Sequence, residues 1–391
     1  MKLTPFISNE QDCRLVSEFY SSAEMLRIEL GNVSKLAPHI NEPKNLWIDS
    51  GFDGYQHVLD SDDVRETWKK LFQKFRHCDS FGIKSFIKKP DSKKVSEFVT
   101  DLLDECMASK PAAISVPQLP HVSDVSRNKL NWALAKAAGK WKVNSKYSGY
   151  LILPVILTHQ NQLNLKAGRN PRIFAASKSF AHSNADGYWI VDSTMADLEG
   201  RPVFSSKRFE GILKFHEEMK EKIPNSKFRI AGPYWGLNLI SWARGSITHP
   251  AAGVGRTFQY HISGGKGWTP KTRIAIPSLR RWAIHGDSLR DWLTENVANY
   301  DKKSNSHKSL KAILDDFDNI GTQTTSRRQV AKFYSEWFAS LEDADPASRQ
   351  LVLFQDFSSA YVLGKTLTTL PSNEQPKQPE RVPKSFMMFC L

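Results

Sequence analysis

The chain has 391 residues, 40% hydrophobic and 24% charged, so it can bury a sizeable core and is not globally disordered. Lysine and arginine total 54 against 41 acids, and the net charge of +13 favours a polyanionic partner: DNA, RNA or a nucleotide. The four cysteines, Cys13, Cys78, Cys106 and Cys390, form no CxxC pair, which argues against structural zinc and a disulfide framework and fits a reducing, cytoplasmic setting.

Residues 1–40 read as an N-terminal helical segment, with Leu15, Val16, Phe19 and Tyr20 at helical spacing in a helix over 11–30. The first strand is Leu46–Ile48. Asp62 and Asp63 open a helix with Trp68, Leu71, Phe72 and Phe75 on one face and Lys69, Lys70 and Lys74 on the other, followed by Arg76. A lysine-rich connection (Lys84, Lys88, Lys89, Lys93, Lys94) leads to a helix over 92–108 and a strand at 113–116. Helix 123–142, strand 150–157, helix 171–183, strand 187–191, helix 205–223 and strand 228–231 follow in turn. A short helix at 237–245 and strands at 253–262 and 273–276 complete the alternation, with an eighth strand expected near Phe81–Ile87.

Strands separated by helices imply a parallel sheet. The fold class is therefore α/β, a closed (β/α)8 TIM-type barrel over 41–287, with a doubly wound open sheet as the alternative. From 288 the periodicity is helical (288–299, 307–317, 326–341, 346–362), giving a helical appendage over 288–365. Residues 366–391 read as a flexible, proline-rich tail. It ends in Phe386-Met387-Met388-Phe389, a group suited to docking on the body or, with the C-terminal helices, on a protein partner. No run approaches membrane-spanning length, and no cofactor or metal is expected.

Polar residues recur where apolar strands end, the face on which barrels place their chemistry. Leu46-Trp47-Ile48 runs into Asp49-Ser50-Gly51-Phe52-Asp53, and Trp189-Ile190-Val191 into Asp192-Ser193. Asp49, Asp53 and Asp192 are the catalytic candidates, since carboxylates at buried strand ends can act as an acid–base or nucleophile–acid pair at a glycosidic carbon. Ser50, Gly51, Gln118, His121, Tyr234, Trp235 and Gly236 are candidate substrate contacts, the two aromatics as stacking faces for a base. Ser263, Gly264, Gly265 and Lys266, with Arg256, form the candidate phosphate site. Lys69, Lys70, Lys74, Arg76, Lys88, Lys89, Lys93 and Lys94 are the candidate backbone-tracking surface.

Asp49-Ser50-Gly51-Phe52 in a βα setting resembles the aspartate-serine-glycine signature of the queuine/archaeosine tRNA-guanine transglycosylases and their DNA-modifying relatives. The resemblance spans roughly 40–285. It implies a TIM barrel that exchanges a base through a covalent glycosyl intermediate, with Asp49 facing the base, Asp192 a further contact and Gly264-Gly265 the glycine loop. The family's cysteine-rich zinc site is missing, and no aspartate follows Arg273–Ile276, where the nucleophile is expected; Asp287 is a poorly placed substitute. The expected activity is base exchange or hydrolysis at an N-glycosidic bond. The alternatives are a non-catalytic nucleic-acid-binding subunit of a processing or antiviral-defence complex, and a carbohydrate-active barrel.

Overall fold

Leu46-Trp47-Ile48-Asp49 is buried along its whole length, as a strand covered on both faces must be. It is the third of eight parallel strands that close into a barrel in sequence order. These are β1 Thr4–Ile7, β2 Leu26–Glu29, β3 Leu46–Asp49, β4 Ala113–Ser115, β5 Tyr150–Leu157, β6 Gly187–Asp192, β7 Phe228–Ala231 and β8 His249–Gly253, closed by pairing of β1 with β8. The computed structural model describes all residues except 41–44, 55–65, 121–124, 159–169, 194, 196–205, 256–257, 259, 261–271, 372–376 and 391, and the side chains of 66–68, 125–126 and 206–207. The architecture is a (β/α)8 TIM-type barrel with C-terminal helices.

Register shows which side chains fill the barrel. Residues paired across parallel strands share a face, and Phe6 pairs with Arg27, which pairs with Trp47. The rings of Phe6, Trp47 and Trp189 meet edge to face, with centroids 5.3–5.9 Å apart. That face is therefore the interior. Two residues further along the same face lie Glu29 and Asp49, at the carboxyl ends of β2 and β3.

The amino-terminal reading needs correction. The helix ends at Phe19, and residues 1–40 contain β1 and β2, so the barrel begins at Thr4 and not at 41. Both strands have only four residues, and β2 carries charges at its interior positions, which hides the apolar signal. The eighth strand expected near Phe81–Ile87 is absent, because Cys78–Gly82 and Lys84–Lys88 are helical. β8 lies at His249–Gly253, ahead of the expected 253–262. Arg273–Ile276 (β9) does form, but it pairs antiparallel with Arg281–Ile284 (β10) outside the barrel. A nucleophile sought after β9 was thus sought off the barrel rim; Asp287 is exposed and opens helix Asp287–Ala298.

The hairpin and the helices Asp287–Ala298, Asn305–Asp315 and Phe317–Ile320 surround a second core with Ile274, Trp292, Leu293, Leu310 and Phe317. Helix Gln323–Glu342 joins this core to the barrel. Tyr20 donates to the Ala331 carbonyl at 2.9 Å, the Tyr334 hydroxyl donates to Asn238 at 2.9 Å, and Arg327 pairs with buried Asp12. The tail is not flexible throughout, for Arg381–Met387 is a helix with Val382 and Phe386 fully buried. Phe386 stacks on Phe209 at 5.6 Å, so the terminal aromatics dock on the body. Gly236 takes φ 70°, which favours glycine, and a side chain there would also meet the Phe386 ring at 3.1 Å.

Candidate active site at the barrel mouth

Two neighbouring strands deliver charge to one point. On β2, Arg27 reaches its fork to Asp49 on β3: Nε donates to Oδ2 at 2.9 Å, and Nη2 makes a shorter bond to the same oxygen. Nη2 also stands 3.3 Å from Glu29. The guanidinium lies over Phe6 at 4.5 Å and Trp189 at 4.9 Å, so the aromatic floor supports a buried cation. Burial opposes that charge, but Asp49, Glu29 and Tyr260 offset it and raise the Arg27 pKa above its ordinary value.

After β3 the chain turns at once. Gly51 takes φ 64°, a left-handed conformation that favours glycine, and its N–H reaches Asp49 Oδ1 at 3.3 Å. The 3-10 turn Phe52–Gly54 follows. Phe52 anchors it against Phe72, Phe81 and Phe98, with centroids 5.5–6.3 Å away. The turn holds Asp53 back over the mouth, where it accepts a 2.5 Å hydrogen bond from the Tyr260 hydroxyl. The Tyr260 ring packs edge to face on Trp189 at 5.1 Å. Arg27, Asp49, Asp53 and Tyr260 are each under 5% exposed.

The two aspartates differ in environment. Burial and the nearby Asp49 carboxylate push the Asp53 pKa up to about 7; the Tyr260 hydrogen bond and Arg27 only moderate the rise. Asp49 carries the direct ion pair with Arg27. Tyr260 is pushed well above the phenol range by burial and by Asp53, and so remains a proton donor. One carboxylate paired with a cation and one carboxylic acid kept protonated near neutrality make an acid–base arrangement.

The sequence reading placed Asp192 in the same constellation, and the structure corrects this. Asp192 lies three residues beyond interior Trp189 and so faces outward from β6. It is fully buried, pairs with Arg208, and its backbone N–H donates to the Tyr234 hydroxyl oxygen. Asp53 stands where Asp192 was expected, as the partner of Asp49. The Trp235 ring is enclosed by Phe258 at 4.8 Å and Tyr334 at 5.4 Å, and its indole donates to the Arg280 carbonyl at 2.7 Å. With Tyr234 and Trp235 2% and 5% exposed, neither offers a base a free face.

Ser50 and Gly51 stay beside Asp49, buried in the turn. Gln118, after β4, donates to the carbonyls of Pro117 and Asn131 at 2.7 and 3.0 Å, clamping its loop to helix Val125–Ser145. His121, Arg256 and the 263–266 loop lie outside the described residues. Arg76 makes a fork to Asp101 at 2.7–3.2 Å. Lys70, Lys74, Lys88, Lys89, Lys93 and Lys94 are exposed and Lys69 half-buried, and none has an ion-pair partner among the described residues.

Sequence reasoning missed Arg27, Glu29, Trp189 and Tyr260 as parts of this site. A signal existed for the first two: Leu26-Arg27-Ile28-Glu29 alternates apolar and charged residues with the two-residue period of a strand. Tyr260 had none, because it comes from beyond β8. No family model matches this chain, and no curated protein matches it.

Proposed function

We propose that the barrel mouth is an active site for cleavage or exchange at an N-glycosidic bond, with a nucleic acid or nucleotide as substrate. The observation that carries this reading is the Asp49–Asp53 pair. Breaking a glycosidic bond requires a proton for the leaving group and negative charge beside the oxocarbenium-like carbon. Asp53, still protonated near neutrality, supplies the proton to the departing base. Asp49, oriented by the Arg27 fork, presents Oδ1 to the sugar carbon as nucleophile or electrostatic partner. Arg27 fixes Asp49 in place and offsets the negative charge that forms as Asp53 gives up its proton.

The choice of a nucleic acid over a simple sugar rests on charge. A net +13, with lysines on the excursion between β3 and β4 that have no ion-pair partner among the described residues, suits a phosphate backbone passing the Asp49 side of the mouth. The test is release of base or exchange of labelled base on nucleosides, DNA and RNA. Asp49→Asn should cut turnover at least about a hundredfold while the fold and nucleic-acid binding persist. Unchanged turnover would remove Asp49 from the chemistry. Steeply salt-dependent binding without any base released would favour the non-catalytic reading instead.

A further inference from the structure

Asp53 is 3% exposed, so a substrate reaches it only if something moves, and among the described residues Tyr260 is bonded to it. We propose that Tyr260 occupies the seat of the substrate ring: the mouth binds a planar heterocycle bearing an N–H or O–H donor, and Tyr260 is an internal plug that the ligand displaces. This rests on reading the mouth as the active site. Tyr260 makes the contacts that such a ring would make. Its hydroxyl donates to Asp53 at 2.5 Å, its ring lies edge to face on Trp189 at 5.1 Å, and Arg27 stands 5.7 Å from the ring centre. The seat itself belongs to the barrel: Trp189 on β6, Arg27 on β2 and the Asp53 turn after β3. Of these described contacts, Tyr260 comes from outside it, past the end of β8 at Gly253. Its departure therefore leaves floor, cation and acceptor in place, where a nucleobase edge with a donor facing Asp53 fits the same three contacts.

A plug lowers apparent affinity by the fraction of molecules in which it is displaced. The test measures binding of adenine, guanine, cytosine and uracil to the full chain by quenching of tryptophan fluorescence. Tyr260→Ala is expected to bind at least one base about tenfold or more tighter than wild type. Tyr260→Phe, which keeps the ring but loses the hydrogen bond, should show a smaller gain in the same direction. p-Cresol, the tyrosine side chain as a free molecule, should compete with that base in Tyr260→Ala. Equal or weaker base binding in both variants, or simultaneous binding of p-cresol and base, would overturn the proposal; Tyr260→Phe keeps this decisive if Tyr260→Ala fails to fold. Turnover separates the two ideas. Tighter base binding in a protein that cleaves no glycosidic bond sinks the proposed reaction and leaves the plug standing. Turnover with unimproved binding does the reverse.

Discussion

At the scale of single residues, the account depends on a carboxylic acid held protonated where most are ionised. Burial and Asp49 raise the Asp53 pKa from 3.8 to about 7. Between these values the unfolded chain has lost a proton that the folded protein retains, so the contribution of Asp53 to stability falls as pH rises from about 4 to about 7 and is level above. His216 and His249, lowered by burial to about 3 and about 4, contribute the opposite slope up to their ordinary value. Asp53→Asn should remove the Asp53 contribution, so that between pH 5 and pH 8 the urea midpoint of the variant gains relative to that of wild type. Turnover should also fall as pH rises through about 7, since the general acid is then lost. Arg27 is the complementary case. Arg27→Met leaves Asp49 and Glu29 facing each other without their cation and should destabilise by about 3–5 kcal/mol in chemical denaturation. Adding Asp49→Asn should recover part of that loss, because the stranded charge goes with it.

At the scale of elements, the long strands were legible and the short ones were not. Tyr150–Leu157 and Gly187–Asp192 are continuous apolar runs, and their positions follow from composition alone. β1 and β2 have four residues each, and β2 spends two of them on charges that belong to the site. Those charges concealed the strand. Asp49 and Asp53 were readable because a carboxylate after an apolar strand is locally conspicuous. Their partners were not, since Arg27 comes from the neighbouring strand and Tyr260 from beyond the last one. Asp192 misled for a geometric reason: three residues past Trp189 is an odd step, which turns the side chain out of the barrel. The composition of the tail suggested flexibility, yet its side chains Leu370, Val382, Phe386 and Cys390 are among those buried. Phe386→Ala should destabilise the protein by about 3–5 kcal/mol in urea or thermal unfolding, an effect that a mobile tail would not produce.

At the scale of the whole molecule, the basic excursion and the candidate site are neighbours in the chain. The excursion between β3 and β4 leaves the barrel directly after the Asp49–Asp53 turn and carries the exposed lysines. Reversing Lys88, Lys89, Lys93 and Lys94 to Glu should weaken oligonucleotide binding and flatten its dependence on salt by up to about one unit of log–log slope per lost contact. Stability should change little, because these side chains reach into solvent. If affinity and slope both stay unchanged, the backbone passes over another face. The C-terminal helices brace the barrel through Arg327, Tyr334 and Phe386.

The most direct test of the central claim is the release or exchange of free base from DNA and RNA, followed by mass spectrometry of the small-molecule fraction for wild type and Asp53→Asn. The account predicts that base accumulates with wild type near neutral pH and falls at least about a hundredfold with Asp53→Asn, while the variant remains folded and bound to nucleic acid. Release that is equally fast in the variant, or no release by wild type from any of these substrates, would contradict it.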